Sequence, residues 1–351
     1  MPVGGRLRRY VEGLLLSILG FVVVFSFLSP LRGTSLSETR RMQTEYNKGI
    51  AAGRNLESAS VVEAPPWPKV FCMINTIPKN HNTRVVAVQD TWANHCDQHV
   101  FTTTAPPPPT TKKKTRAERK DPKEKVPPFW VFDFSSPANK SIPNDSREWL
   151  WDRLRAAFKK VHQEKLGDFD WFFKADDDTF AIMENMKEFL AKLDPNHPYF
   201  VISRHWLLEK GRDPNQIYGS GGAGYILSRE AVKRFISIMP NATECRTTSY
   251  KHEDTEIGEC LRNANVTFVD AVDGSNRHSM LPIDIADLLT PFVNGPNLQW
   301  AQETSIIPLD KGDSCCSPGM ITTHYVKPQE MYAYYFLTYK LKIAKNPATG
   351  H

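Results

Sequence analysis

The segment from Asp170 to Thr179 constrains this chain most. Trp171, Phe172 and Phe173 lead through Lys174 and Ala175 into Asp176, Asp177 and Asp178. Asp170 to Lys174 reads as a strand that ends in an acidic cluster. In open α/β sheets, ligands sit beyond the carboxyl ends of strands. Asp176 and Asp178 are two residues apart, so an extended backbone points both side chains the same way. The two carboxylates would repel strongly unless a cation lay between them. Hard divalent ions such as Mg²⁺ or Mn²⁺ take oxygen ligands and bridge to phosphates. An isolated acidic triplet also reads as a solvated turn capping the helix that begins near Ala181. Its position after Trp-Phe-Phe favours the ligand site.

Around this segment, strand and helix patterns alternate. Val70 to Ile74, Val100 to Thr104 and Trp130 to Phe134 read as strands. Arg84 to Trp92, Glu148 to Gln163 and Ala181 to Leu193 read as helices. Residues 225–227 precede a further helix from Arg229, and Glu253 opens one running to Leu261. Such alternation predicts an α/β fold with a mostly parallel central sheet flanked by helices.

The N-terminus reads differently. Arg6, Arg8 and Arg9 precede an apolar run from Leu14 to Leu28. Residues 10–31 have the length of a membrane span, ~20 residues, and the preceding charge favours a cytosolic N-terminus. A cleaved signal peptide is the competing reading. The expected organisation is a cytosolic tail over 1–9, a transmembrane signal anchor over 10–31 and a stem over 32–67. A catalytic domain over 68–343 and a tail over 344–351 follow. A Pro- and Lys-rich insert over 105–128 is expected to be a disordered surface loop. Sequons at Asn139, Asn144, Asn241 and Asn265 agree with a secretory compartment. The net charge is +5, but its excess sits largely between Lys112 and Lys125. A basic face for nucleic acid is therefore not supported, and no nucleic-acid partner is expected.

The segment DWFFKADDDTF resembles the donor-binding segment of glycosyltransferase family 31, in particular of its core 1 β1,3-galactosyltransferases. Further segments are similar in the same order: Thr91-Trp92 followed by Cys96, YGSGGAGYILSREAVKRF from Tyr218, EDTEIGECL from Glu253, Cys315-Cys316-Ser317, and His324-Tyr325-Val326. The resemblance covers most of residues 68–340. It implies a GT-A fold, a UDP-sugar donor, Mn²⁺ as cofactor and inversion at the anomeric carbon. It also implies transfer of galactose from UDP-galactose to the 3-hydroxyl of GalNAc on a glycoprotein. The setting would be the Golgi membrane, with type II single-pass topology and a lumenal catalytic domain. A homodimer is left open. A relative using another UDP-sugar or acceptor stays open, as does a non-catalytic, chaperone-like member.

By this resemblance, Asp178 and His324 are the direct metal ligands, and Asp176 contacts the metal or the donor. Without it, a lone histidine beside a strand reads as a satisfied core or surface residue. Asp254 is the expected base; an Asp at a helix start is also an ordinary N-cap. Donor contacts are expected from Thr76, Arg84, Trp92, Asp177, Gly221 and Gly222. Acceptor contacts are expected from Tyr218, Glu253, Trp300 and Tyr325. Pairing Cys72 with Cys96 would tie the first strand to the end of the first helix. Pairing Cys245 with Cys260 would close the loop that carries Asp254. Cys315 and Cys316 are then left to form a vicinal disulfide or to pair outside the chain. After Trp300 the chain lacks the family's further aromatics, and this departure and the basic insert bear on the acceptor.

Overall fold

The computed structural model describes residues 67–107, 127–134, 142–207, 213 and 216–344. Residues 66–351 form one compact unit. The tail, the anchor and stem up to residue 66, the stretch 108–126 of the insert, Asn139 and residues 345–351 lie outside the described residues.

A seven-stranded sheet organises the unit. Its strands are β1 (Val70–Asn75), β2 (Gln98–Thr103), β3 (Phe129–Val131), β4 (Trp171–Asp176), β6 (Tyr199–Ile202), β9 (Tyr225–Ser228) and β10 (Thr267–Asp270), in the order β10-β6-β9-β4-β1-β2-β3. β1 pairs in parallel with both β2 and β4, β2 with β3, and β10 with β6. Only β9 runs antiparallel to its neighbours β4 and β6. This is the mostly parallel, helix-flanked, GT-A-like sheet that the sequence implies.

The strands read as continuous apolar runs because both faces of the sheet are buried. Side chains alternate between the faces. On one face lie Val70, Cys72, Ile74, Trp171, Phe173 and Ala175. They pack under α1 (Arg84–Asp90), α3 (Met183–Leu190) and α8 (Pro328–Tyr339). On the other lie Phe71, Met73 and Phe172, under α2 (Leu150–Glu164), α4 (Arg229–Ile238) and α5 (Glu253–Asn263). Helix α2 buries Trp151, Leu154, Ala157, Phe158 and Val161. That is the helical spacing of one apolar face. Helix α4 starts where the Ser228 hydroxyl accepts from the Ala231 amide, a side-chain N-cap.

Elements that periodicity does not announce complete the unit. β5 (Phe180–Ala181), β11 (Met280–Leu281) and β12 (Thr322–Thr323) form a small sheet, and β7 (Arg204–Trp206) pairs with β8 (Ile217–Gly219). Helices α6 (Ile285–Leu289) and α7 (Pro296–Thr304) enclose a separate apolar cluster of Leu281, Ile283, Leu288, Leu298, Ala301 and Leu309. The disulfides are Cys72–Cys96, Cys245–Cys260 and the vicinal Cys315–Cys316.

The expected signal anchor over 10–31 lies outside the described residues, and the membrane attachment, type II topology and Golgi-membrane location that depend on it are corrected to expectations that the described fold does not support. No helix among the described residues is long and apolar enough to cross a membrane. The longest, α2, has 15 residues. At 1.5 Å per residue it extends about 22 Å, short of the ~30 Å hydrocarbon core, and only one of its faces is apolar.

Phe173 is fully buried and packs against Trp92 with ring centroids 6.1 Å apart. Phe173→Ala is predicted to cost about 3–5 kcal/mol of stability, read from the denaturant midpoint. A loss below about 1 kcal/mol would contradict this packing role.

Candidate active site

The acidic cluster turns at the carboxyl end of β4. The Asp177 amide donates to the Asn75 carbonyl (3.1 Å) and the Thr179 amide to the Asp176 carbonyl (3.1 Å). The chain then enters β5, which pairs antiparallel with β12, Thr323 opposite Phe180. The Val326 amide closes the arrangement by donating to the Asp178 carbonyl (2.9 Å). His324, between these two pairings, is thereby carried to the triplet. Its Nε2 lies 3.3 Å from Asp178 Oδ1, and its Nδ1 3.1 Å from the Pro282 carbonyl. Ligand atoms of Asp176, Asp178 and His324 all lie within 4.8 Å of one another. Two carboxylates and an imidazole suit a hard or borderline divalent cation.

The charge of the surroundings fits the same ion. Asp176, Asp177, Asp178, Glu253 and Asp254 supply five carboxyl groups, and Arg84, Arg153 and Lys174 three cations. With all ionised, two negative charges remain, which a divalent cation balances.

The glycine-rich segment forms one wall. The Thr179 hydroxyl donates to the Gly222 carbonyl (2.9 Å), and the Thr322 hydroxyl to the Ala223 carbonyl (2.6 Å). A Cβ on Gly222 would lie 2.0 Å from His324 Cε1. Only a glycine lets the imidazole occupy this place. Gly224 sits at φ +78°, where L side chains are strained.

Asp254 lies in the first turn of α5. Its Oδ2 accepts from the Gly221 amide (3.1 Å) and its Oδ1 from the Thr255 amide (3.0 Å). Burial, with the Glu253 carboxylate beside it, pushes its carboxyl up to about 7. Asp178 is displaced the other way. Burial alone would raise it, but His324 and Arg84 outweigh burial and hold it below the usual Asp value.

One cleft of about 1000 Å³ is lined by the ligand triad, Arg84, Gly221, Gly222, Asp254, Tyr218, Trp300 and Tyr325. Trp300 stacks on His205 with centroids 5.0 Å apart and planes 7° apart. Burial pushes the His205 imidazole down to about 3, so this backing ring is neutral. Tyr325 stacks on His324 at 3.8 Å and holds a left-handed φ of 60°.

Four expected contacts take other roles. Trp92 is fully buried beneath Phe173 and does not line the cleft. Asp177 is only 4% exposed and accepts from Thr76 (2.6 Å), Asn80 (2.8 Å) and Arg84 (3.0 Å). It anchors the loop, and Thr76 gives its hydroxyl to it, while both residues remain on the cleft lining. Glu253 is buried and faces the Lys174 ammonium at 2.7 Å. Arg84, by contrast, binds Asp177 and Asp178 from one nitrogen and lines the cleft. Of the described sequons, Asn241 Oδ1 accepts from Thr243 and Asn265 is exposed at φ 54°. The Asn144 amide nitrogen donates to Thr104 and Asp133.

Lys174 escaped the sequence reading. The signal was present, a lone lysine inside an aromatic strand, since an unpaired lysine is almost never fully buried.

Gly222→Ala is predicted to displace His324 and weaken divalent-cation binding at least about tenfold, with the thermal midpoint kept within a few degrees. Calorimetric titration of Mn²⁺ measures it, and unchanged affinity would remove His324 from the ligand set.

The Fringe-like family matches residues 133–288. Glycoprotein-N-acetylgalactosamine 3-beta-galactosyltransferase 1 of Xenopus laevis is 30% identical over 274 residues, 78% of this chain and 67% of that protein. Human chondroitin sulfate synthase 3 is 26% identical over 210 residues, 58% of this chain and 21% of that much longer protein. Among solved structures, galactosyltransferase LgtC in complex with donor and acceptor sugar analogues aligns over 78% of this chain and 97% of its own, at 10% identity and a TM-score of 0.38. With the Asp-Asp-His cluster and the cleft in place, the chain belongs to glycosyltransferase family 31, related to the core 1 β1,3-galactosyltransferases, and is a glycosyltransferase that uses nucleotide-sugar donors.

Proposed function

We propose that this enzyme transfers galactose from UDP-galactose to the 3-hydroxyl of GalNAc linked to Ser or Thr of a glycoprotein. The transfer inverts the anomeric carbon and depends on Mn²⁺. The observation that carries this reading is one cleft lined both by the Asp176-Asp178-His324 cluster and by Asp254.

Asp176, Asp178 and His324 would hold Mn²⁺, which when bound neutralises charge on the departing diphosphate. The remaining steps belong to the chain. Arg84 turns its guanidinium toward the donor phosphates. The side-chain-free wall at Gly221 and Gly222 admits the sugar ring. Trp300 and Tyr218 present aromatic surface to the acceptor. Asp254 takes the acceptor hydroxyl proton as that oxygen bonds to the anomeric carbon and UDP leaves. A single displacement from the opposite face inverts the configuration.

A related β1,3-transferase with another donor or acceptor is the second reading. It is favoured by the similarity to a chondroitin sulfate synthase and by the absence of aromatics between Trp300 and the Cys315-Cys316 pair. UDP release over panels of UDP-sugars and glycosides, with and without Mn²⁺, decides between them. Release with UDP-galactose and GalNAc glycosides alone supports the first.

Asp254→Asn is predicted to lower kcat by about 10²–10⁴-fold while UDP and Mn²⁺ still bind; normal turnover would remove the base. The raised Asp254 carboxyl also sets a pH dependence. A base must be deprotonated, so kcat/KM should fall as pH drops through about 7. A limb near pH 4, the ordinary carboxylate range, would contradict the assignment.

A further inference from the structure

We infer that Lys174 is a positioning residue that fixes the base Asp254 relative to the metal ligands. The inference rests on the proposed role of Asp254. Lys174 points from the middle of β4 into the protein and is only 4% exposed. Its ammonium lies 2.9 Å from Asp176 Oδ1, 2.7 Å from Glu253 Oε1 and 3.2 Å from the Gly221 carbonyl. The ammonium donates to the Gly221 carbonyl and faces the two carboxylates as close ion pairs. It also sits 5.3 Å from the centre of the Tyr225 ring.

The three acceptors belong to three separate working parts. Asp176 ends β4 and carries a metal ligand. Gly221 carries the carbonyl that Lys174 holds and the amide that bonds Asp254 Oδ2. Glu253 immediately precedes Asp254 in α5. No other described side chain bonds all three segments. The lysine therefore sets the distance between the metal site and the base twice, through the Gly221 peptide and through the first turn of α5. A fixed separation matters because a displacement of about 1 Å can cost 10²-fold in rate.

This role differs from charge balance alone. A residue that merely neutralised Asp176 would act on donor and metal binding, whereas one that places Asp254 acts on turnover. Lys174→Met keeps the stem and removes the donors. Its kcat is expected to fall about 10²-fold, with the UDP dissociation constant in Mn²⁺ within about threefold of the parent. Because Lys174 acts through Asp254, Lys174→Met with Asp254→Asn should be no slower than Asp254→Asn alone, within about threefold. In the metal-free protein, hydrogen exchange at the Gly221 amide should quicken in Lys174→Met, since its carbonyl tether is gone.

Independent, multiplicative losses in the double variant would overturn the inference, as would Lys174→Met with parental kcat. Should Lys174→Met not fold, Glu253→Gln keeps the lysine and removes one charged leg. It should then reproduce the loss in kcat with UDP binding retained, and parental turnover would overturn the proposal. Normal turnover of Asp254→Asn by itself marks a failure of the base assignment instead, which separates the two results.

Discussion

The site is organised around surplus negative charge at the carboxyl end of β4. Five carboxyl groups converge where three cations are fixed, and the groups are largely withdrawn from water. Carboxylates packed so closely repel one another more strongly than they would in bulk solvent. The protein distributes that cost unevenly. Asp177 accepts from three hydrogen-bond donors, which offset only part of its burial, while Arg84 and His324 hold Asp178 low. Asp176 and Glu253 share Lys174. Burial and the neighbouring Glu253 carboxylate act on Asp254, and its two backbone amides do not offset them, so its affinity for a proton rises. One arrangement thus produces a ligand set with spare negative charge and, on the next element, a carboxylate basic enough to take a proton.

Holding such a cluster requires rigid supports from distant parts of the chain. The central sheet supplies Asp176 through β4. Two-residue strands supply the rest, because the β5–β12 pairing and the Val326 amide fasten His324 against the triplet. The glycine-rich wall is pinned from three directions, by Thr179, Thr322 and Lys174. These are side-chain bonds to carbonyls in a segment with few side chains of its own. They give it the rigidity that a run of glycines lacks.

This division explains what could be read from the sequence. The buried strands and α2 announced themselves by aromatic runs and helical spacing, because burial forces those patterns. β5, β11 and β12 did not, since two residues carry no period, and the proximity of His324 came from resemblance alone. Residue type also failed to fix residue role. Asp177 and Glu253 look like ligand-facing acids, but their partners, Thr76, Asn80, Arg84 and Lys174, are set by tertiary packing. Trp92 looked like a donor contact and is core. The membrane assignment rested on residues 10–31, outside the described part of the chain, and none of the amphipathic helices that are described supports it.

The two sides of the cleft rest on different foundations. The donor side hangs on the central sheet, with its two continuous apolar faces. Trp300 belongs to α7, which packs in the separate cluster that includes Cys315. One face of the Trp300 ring lies on His205, a neutral imidazole bonded to Ser203 (3.2 Å) and Thr304 (2.8 Å). A neutral backing ring holds the indole by packing and adds no charge to an already crowded cleft. Substitutions in α7 can therefore reshape the wall proposed to meet the acceptor without disturbing the Asp-Asp-His cluster. The same donor chemistry can then serve different acceptors, with the aromatic content of the segment after Trp300 as the variable part.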